Sequence, residues 1–128
     1  MTDPAEAEAK TRVLIVDDEP SYRDYLDRYL TREGYEVRTA SSGQEALEIG
    51  RVFLPHVILA DWMLKDQMHG LEVAVSLREF SPEMRILLMT GFPSSEIRKE
   101  ADRAHVFRFL EKPFGLEQVA TAIREASE

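Results

Sequence analysis

The chain has 128 residues, enough for one domain of ordinary size and too few for two. Hydrophobic residues make up 44% and charged residues 31%, a balance that permits a real core and excludes both a disordered acidic tail and a membrane-embedded chain. Lys and Arg number 16 against 24 Asp and Glu, a net charge of -8, so electrostatics oppose binding to a phosphate backbone and direct nucleic-acid binding is not expected.

Cysteine is absent, which removes disulfides, thiolate nucleophiles and cysteine-ligated metal sites together. The three histidines, His56, His69 and His105, lack metal-ligand spacing and read as surface or loop residues. Oxygen ligands and carboxylates are what remain for chemistry. No apolar run approaches the roughly 20 residues needed to cross a bilayer. The opening MTDPAEAEAK has no apolar centre of a secretory signal, so no membrane insertion is expected and the expected compartment is the cytoplasm.

Residues 1 to 11 carry no large apolar side chain beyond Met1 and read as a flexible leader, leaving 12 to 128 as the folded domain. From Arg12 onward, short apolar runs alternate with amphipathic stretches. Val13 to Val16 reads as a strand, Ser21 to Glu33 as a helix, Glu36 to Thr39 as a strand and Ser42 to Val52 as a helix. Val57 to Ala60, Leu71 to Phe80, Ile86 to Met89, Ser94 to Arg103, Val106 to Leu110 and Leu116 to Ala126 continue the alternation. Continuous runs such as VLIV, VILA and ILLM imply strands covered on both faces. Pro20 suits a first helical turn, Gly34 a helix end, and Ser42 with Glu45 a capping box. The fourth helix offers only Ile97 and Ala101 to a core, so it should be the least firmly packed and a candidate moving part.

Five βα units with right-handed crossovers give an α/β fold, a five-stranded parallel sheet doubly wound by helices. Such folds bind ligands at the carboxyl ends of the strands. Asp17 and Asp18 follow the first strand, Asp61 the third, Thr90 the fourth and Lys112 the fifth, so all should meet on one rim. Gathered carboxylates repel, and a hard divalent cation bound through oxygen relieves the repulsion; Mg2+ suits, keeping waters and adding a phosphate oxygen. A lysine and a hydroxyl facing it supply charge neutralisation and a donor, the needs of phosphoryl chemistry on an aspartate. Each residue alone has a plainer reading: Asp17 and Asp18 as helix N-terminal acids, Asp61 and Thr90 as turn residues, Lys112 as a surface charge. The joint pattern is what points to a site.

VLIVDDEP, the VILAD run, LLMTG and FLEKPF stand in order and at spacings that resemble the receiver domain of two-component response regulators, over residues 12 to 126. The resemblance implies a flavodoxin-like sheet of strand order 2-1-3-4-5. It implies that Asp61 takes a phosphoryl group from a phosphohistidine on a histidine kinase or histidine phosphotransfer protein. By the same match, Asp17, Asp18, Asp61 and the Met63 backbone carbonyl bind Mg2+, with Mn2+ as a substitute, and Thr90 and Lys112 contact the phosphoryl group. The bond between Lys112 and Pro113 is then cis. Thr90 and Phe109 form the switch, although Phe109, alternating with Phe107, also suits a plain core role. The surface around the fourth helix, fifth strand and fifth helix then binds a downstream protein effector.

The sequence departs from the family after Asp61. Many receivers carry a proline four residues after the acceptor and a glycine eight after it, positions held here by Lys65 and His69, with Gly70 one later. The loop should be one residue longer, with Lys65 and Asp66 facing solvent. Met63 and Phe92 occupy positions that resemble rate-tuning sites, and neither side chain can orient an attacking water, so slow self-dephosphorylation is expected. Tyr22, Tyr25 and Tyr29 share a helical stripe with Leu26 and Leu30 that reads mostly as core, with Arg28 and Tyr29 at an edge expected to dock a kinase. Arg98, Lys99, Arg103 and Glu111 offer charges for dimerisation, but EADRAHVFRF lacks a glycine turn, which favours a monomer. Trp62, the only tryptophan, adjoins Asp61 and should report on the site.

Two other functions compete. A small phosphatase of haloacid dehalogenase type gathers similar residues but wants D-x-D after the first strand, where this chain has Asp17, Asp18 and Glu19. A receiver-like binding module that is never phosphorylated is the third reading.

Overall fold

The computed structural model describes residues 10–128; residues 1–9 of the expected leader lie outside the described residues. Five strands, β1 (Arg12–Val16), β2 (Glu36–Ala40), β3 (Val57–Asp61), β4 (Arg85–Thr90) and β5 (Arg108–Glu111), form one parallel sheet in the order β2-β1-β3-β4-β5. Helices α1 (Pro20–Arg32), α2 (Gly43–Phe53), α3 (Gly70–Leu77), α4 (Ser95–Arg103) and α5 (Leu116–Ala126) connect them. Alternation along each strand divides the core in two. Val13, Ile15, Val57, Leu59, Leu87 and Met89 pack beneath α1 and α5, against Leu26, Leu30, Val119 and Ile123. Leu14, Val16, Ile58, Ala60, Ile86 and Leu88 pack beneath α2, α3 and α4, against Ala46, Val73, Leu77 and Ala101. Strands buried on both faces explain the unbroken apolar runs of β1, β3 and β4.

The helix punctuation works as expected, with one difference. Gly34 takes a left-handed φ of +102° just past α1, where a Cβ would be strained. The Ser42 hydroxyl accepts from the Glu45 amide, but the Glu45 carboxylate accepts from the Ser41 amide instead of that of Ser42, so the box closes one residue early. Helix α4 buries only Ala101, with Ile97 partly covered, which agrees with its thin apolar content.

Two element ends move by more than one residue. Strand β5 starts at Arg108 and not at Val106, because the Val106 amide donates to Ala101 to finish α4, after a left-handed turn at His105. Helix α3 stops at Leu77 and not at Phe80, because the Glu79 and Phe80 amides donate three residues back, to Ser76 and Leu77, in tighter turns. The freed Arg78 then ties the α4 end down, its guanidinium donating to the carbonyls of Ala104 and His105. The tyrosine stripe is less buried than expected: Tyr22 and Tyr29 pack against the core, but Tyr25 is 52% exposed because α1 covers the sheet through Leu26 and Leu30.

Candidate functional site

Parallel strands present all their carboxyl ends on one rim, and ladder hydrogen bonds extend past the strand ends to fix the residues there. The Asp17 amide donates to Ala40, that of Trp62 to Met89 (2.8 Å), and that of Lys112 to Thr90 (2.7 Å). Asp17, Asp61 and Thr90 are buried, unusual for such groups unless they are partnered. The Lys112 ammonium partners the two carboxylates, 3.2 Å from Asp17 Oδ2 and 3.3 Å from Asp61 Oδ2. The second Asp17 oxygen accepts from the Glu19 amide, and Arg23 donates to the Asp17 carbonyl at 2.7 Å. The Lys112–Pro113 bond is cis, as expected.

Asp17, Asp18 and Asp61 each offer a carboxylate oxygen within 4.8 Å of the others, the one such group among the described residues. Three carboxylates face one ammonium, an excess of negative charge that an oxygen-seeking divalent cation would offset. Burial pushes the Asp61 carboxyl above the usual range; Lys112 opposes that push, and Asp17 and Asp18 add to it. Burial works against the charge of Lys112, but Asp61 and Asp17 outweigh it and hold the ammonium above its ordinary value. The Thr90 hydroxyl accepts from the Phe92 amide at 3.1 Å, which leaves its proton for another acceptor.

The remaining expected residues sit around this centre. Met63 is 59% exposed and Phe92 83%, both apolar and beside the rim. Phe109 is half-buried against the α2–α3–α4 core, with the Arg98 guanidinium 4.8 Å over its ring. Arg28 is exposed and pairs with Asp24 one turn away at 3.2 Å, while Tyr29 is half-buried. Trp62, expected to report on the site, is 8% exposed within the core and stacks on His69 with ring centroids 4.9 Å apart.

That loop holds two residues whose roles the sequence did not disclose. Asp66, expected to face solvent without a task, accepts from the Gly43 and Gln44 amides at the start of α2, and those bonds hold its carboxyl below the usual range. Gln67 makes the turn at φ +68°, and Met63 bridges His69 before Gly70. Tyr22 is the other addition at the site: the Lys112 ammonium lies 4.7 Å from its ring centroid. Its place in an amphipathic stripe gave only a packing signal.

Residues 13–124 match the response regulator receiver domain family. The chain is 36% identical over 112 residues to the probable transcriptional regulatory protein TcrX of Mycobacterium tuberculosis, covering 88% of this chain and 47% of that protein. It therefore spans about half the length of that curated relative. Among solved structures, Vibrio cholerae chemotaxis protein CheY4 superposes with a TM-score of 0.85 at 32% identity, over 92% of this chain and 99% of that one. A Burkholderia pseudomallei response regulator, crystallised with a phosphorylated aspartic acid, a calcium ion and citrate, gives a TM-score of 0.82 at 30% identity, over 91% of this chain and 69% of that one. No helix among the described residues is long and apolar enough to cross a membrane. With fold, site and matching relatives in agreement, the chain belongs to the receiver domains of two-component response regulators.

Proposed function

We propose that Asp61 is the phosphoacceptor of this receiver. The observation that carries the reading is the Lys112 ammonium bridging Asp61 and Asp17 at the carboxyl ends of the strands, with Asp18 alongside. An Asp61 carboxylate oxygen bonds to phosphorus as the P–N bond of a phosphohistidine breaks, and that bond's electron pair returns to the imidazole. Lys112 and the free Thr90 proton then stabilise charge on the phosphoryl oxygens. Asp17, Asp18, Asp61 and the Met63 carbonyl would hold Mg2+, or Mn2+ in its place. Bound there, the ion would offset the carboxylate charge and supply positive charge toward a phosphoryl group. The phosphorylated aspartic acid of the Burkholderia pseudomallei relative supports the same chemistry here, and the family match does not favour a haloacid dehalogenase type phosphatase.

Movement of Thr90 toward the phosphoryl group and rotation of half-buried Phe109 behind it would carry the signal to α4, the helix with the thinnest apolar hold. The partners are a histidine kinase or phosphotransfer protein, with Arg28 and Tyr29 among its contacts, and a downstream protein effector. Exposed Met63 and Phe92 shield the phosphoryl group and offer no side chain to align water, so the phosphorylated state is long-lived.

The test is acetyl phosphate with Mg2+, read by intact mass. One added phosphoryl group in the wild type and none in Asp61→Asn is expected. No addition to the wild type, or equal addition to both, would overturn the assignment.

A further inference from the structure

We propose that Tyr22 is a positioning residue for Lys112, its ring face keeping the ammonium at the site when the neighbouring carboxylates turn to a metal ion. The inference rests on the reading of Asp61 as phosphoacceptor and goes beyond it.

Lys112 has three attachments: Asp17 Oδ2, Asp61 Oδ2 and the Tyr22 ring at 4.7 Å. The first two are ion pairs with carboxylates that would share a divalent cation. A cation there takes up their negative charge and repels the ammonium, so both ion pairs weaken when Lys112 must face a phosphoryl group. The third attachment is of another kind. A ring quadrupole attracts a cation without carrying net charge, and no metal neutralises it.

The ring is itself fixed. Tyr22 lies in the first turn of α1, after Pro20, and packs against the α1–α5 side of the core. Phe114, two residues beyond Lys112, meets it edge to face with centroids 5.9 Å apart at 69°. The same short segment therefore supplies both the ammonium and an aromatic partner that packs against the ring beside it. An aliphatic side chain would fill the volume without the attraction, and a phenylalanine would keep the attraction without the hydroxyl.

Amine labelling provides a readout independent of phosphotransfer. The chain has four lysines, Lys10, Lys65, Lys99 and Lys112, so a water-soluble succinimidyl ester and peptide mass spectrometry resolve each one. In Tyr22→Leu, Lys112 is expected to label about tenfold faster relative to Lys65 and Lys99, most of all with Mg2+ present, whereas Tyr22→Phe retains wild-type protection. With acetyl phosphate, Tyr22→Leu should lower the rate at saturating Mg2+ by about tenfold with unchanged half-saturation by Mg2+, and Tyr22→Phe should rescue it.

Equal labelling of Lys112 in all three proteins would overturn the proposal. So would a loss that Tyr22→Phe shares, or a raised Mg2+ requirement with no change in saturating rate. A wild type that takes no phosphoryl group would overturn the reading of Asp61 instead, and metal-free labelling would then decide by itself whether the ring holds the ammonium.

Discussion

Gly70 lies so close to Asp61 that a Cβ at position 70 would stand 2.0 Å from the Asp61 carbonyl oxygen, far inside contact distance. The Gly70 amide donates to the Trp62 carbonyl at 3.0 Å, which seats α3 against the end of β3. The glycine that arrives one residue late in the sequence thus performs a steric task at the candidate acceptor's own backbone. Gly70→Ala should cost about 3 kcal/mol, at the upper end of overpacking, because the obstacle is backbone and cannot rotate away. Urea unfolding checks the stability, and acetyl phosphate labelling should slow in parallel.

Asp61 carries a stability penalty in the metal-free protein. Burial raises its pKa on folding, so its favourable contribution exists below the ordinary carboxylate range and is lost as pH rises through the raised value. Asp61→Asn should therefore melt higher than wild type at pH 7 in chelator, and the gap should close as the buffer is acidified toward the ordinary range. Thermal scans across that series check the sign. Saturating Mg2+ should stabilise the wild type, by about 2.7 kcal/mol at one hundred times Kd, and the variant less.

Rate-tuning at Met63 and Phe92 predicts a gain on substitution. Asn at 63 and Glu at 92 would each supply a polar group near the phosphoryl site able to align water. The double variant should lose its phosphoryl group about tenfold faster, equivalent to about 1.4 kcal/mol off the barrier. Decay of the phosphorylated mass after removal of acetyl phosphate measures it, and an unchanged half-life would refute the shielding role.

Asp66 ties the long loop to α2 through two amides. Asp66→Ala should cost about 1 kcal/mol, the usual loss of a helix N-terminal acceptor. Because those bonds lower its pKa, the contribution exists above the ordinary carboxylate range and fades as pH falls through the lowered value. Chemical unfolding of variant and wild type at neutral and acid pH should show the difference shrinking in acid.

The sequence by itself determined the five βα units, their doubly wound arrangement and the strand-end positions of Asp17, Asp18, Asp61, Thr90 and Lys112. Those features are legible because burial on both faces writes unbroken apolar runs and each run's end fixes a rim position. Only the tertiary structure decided where β5 starts, since the Val106 amide is taken by α4, and that Arg78, just past α3, reaches the carbonyls of Ala104 and His105. It also decided that Tyr22 lies under Lys112, that Asp66 holds α2 and that Gly70 abuts Asp61. Each of these joins residues far apart in the chain or folded together by a loop, and neither periodicity nor local propensity encodes a contact whose partner is chosen by packing.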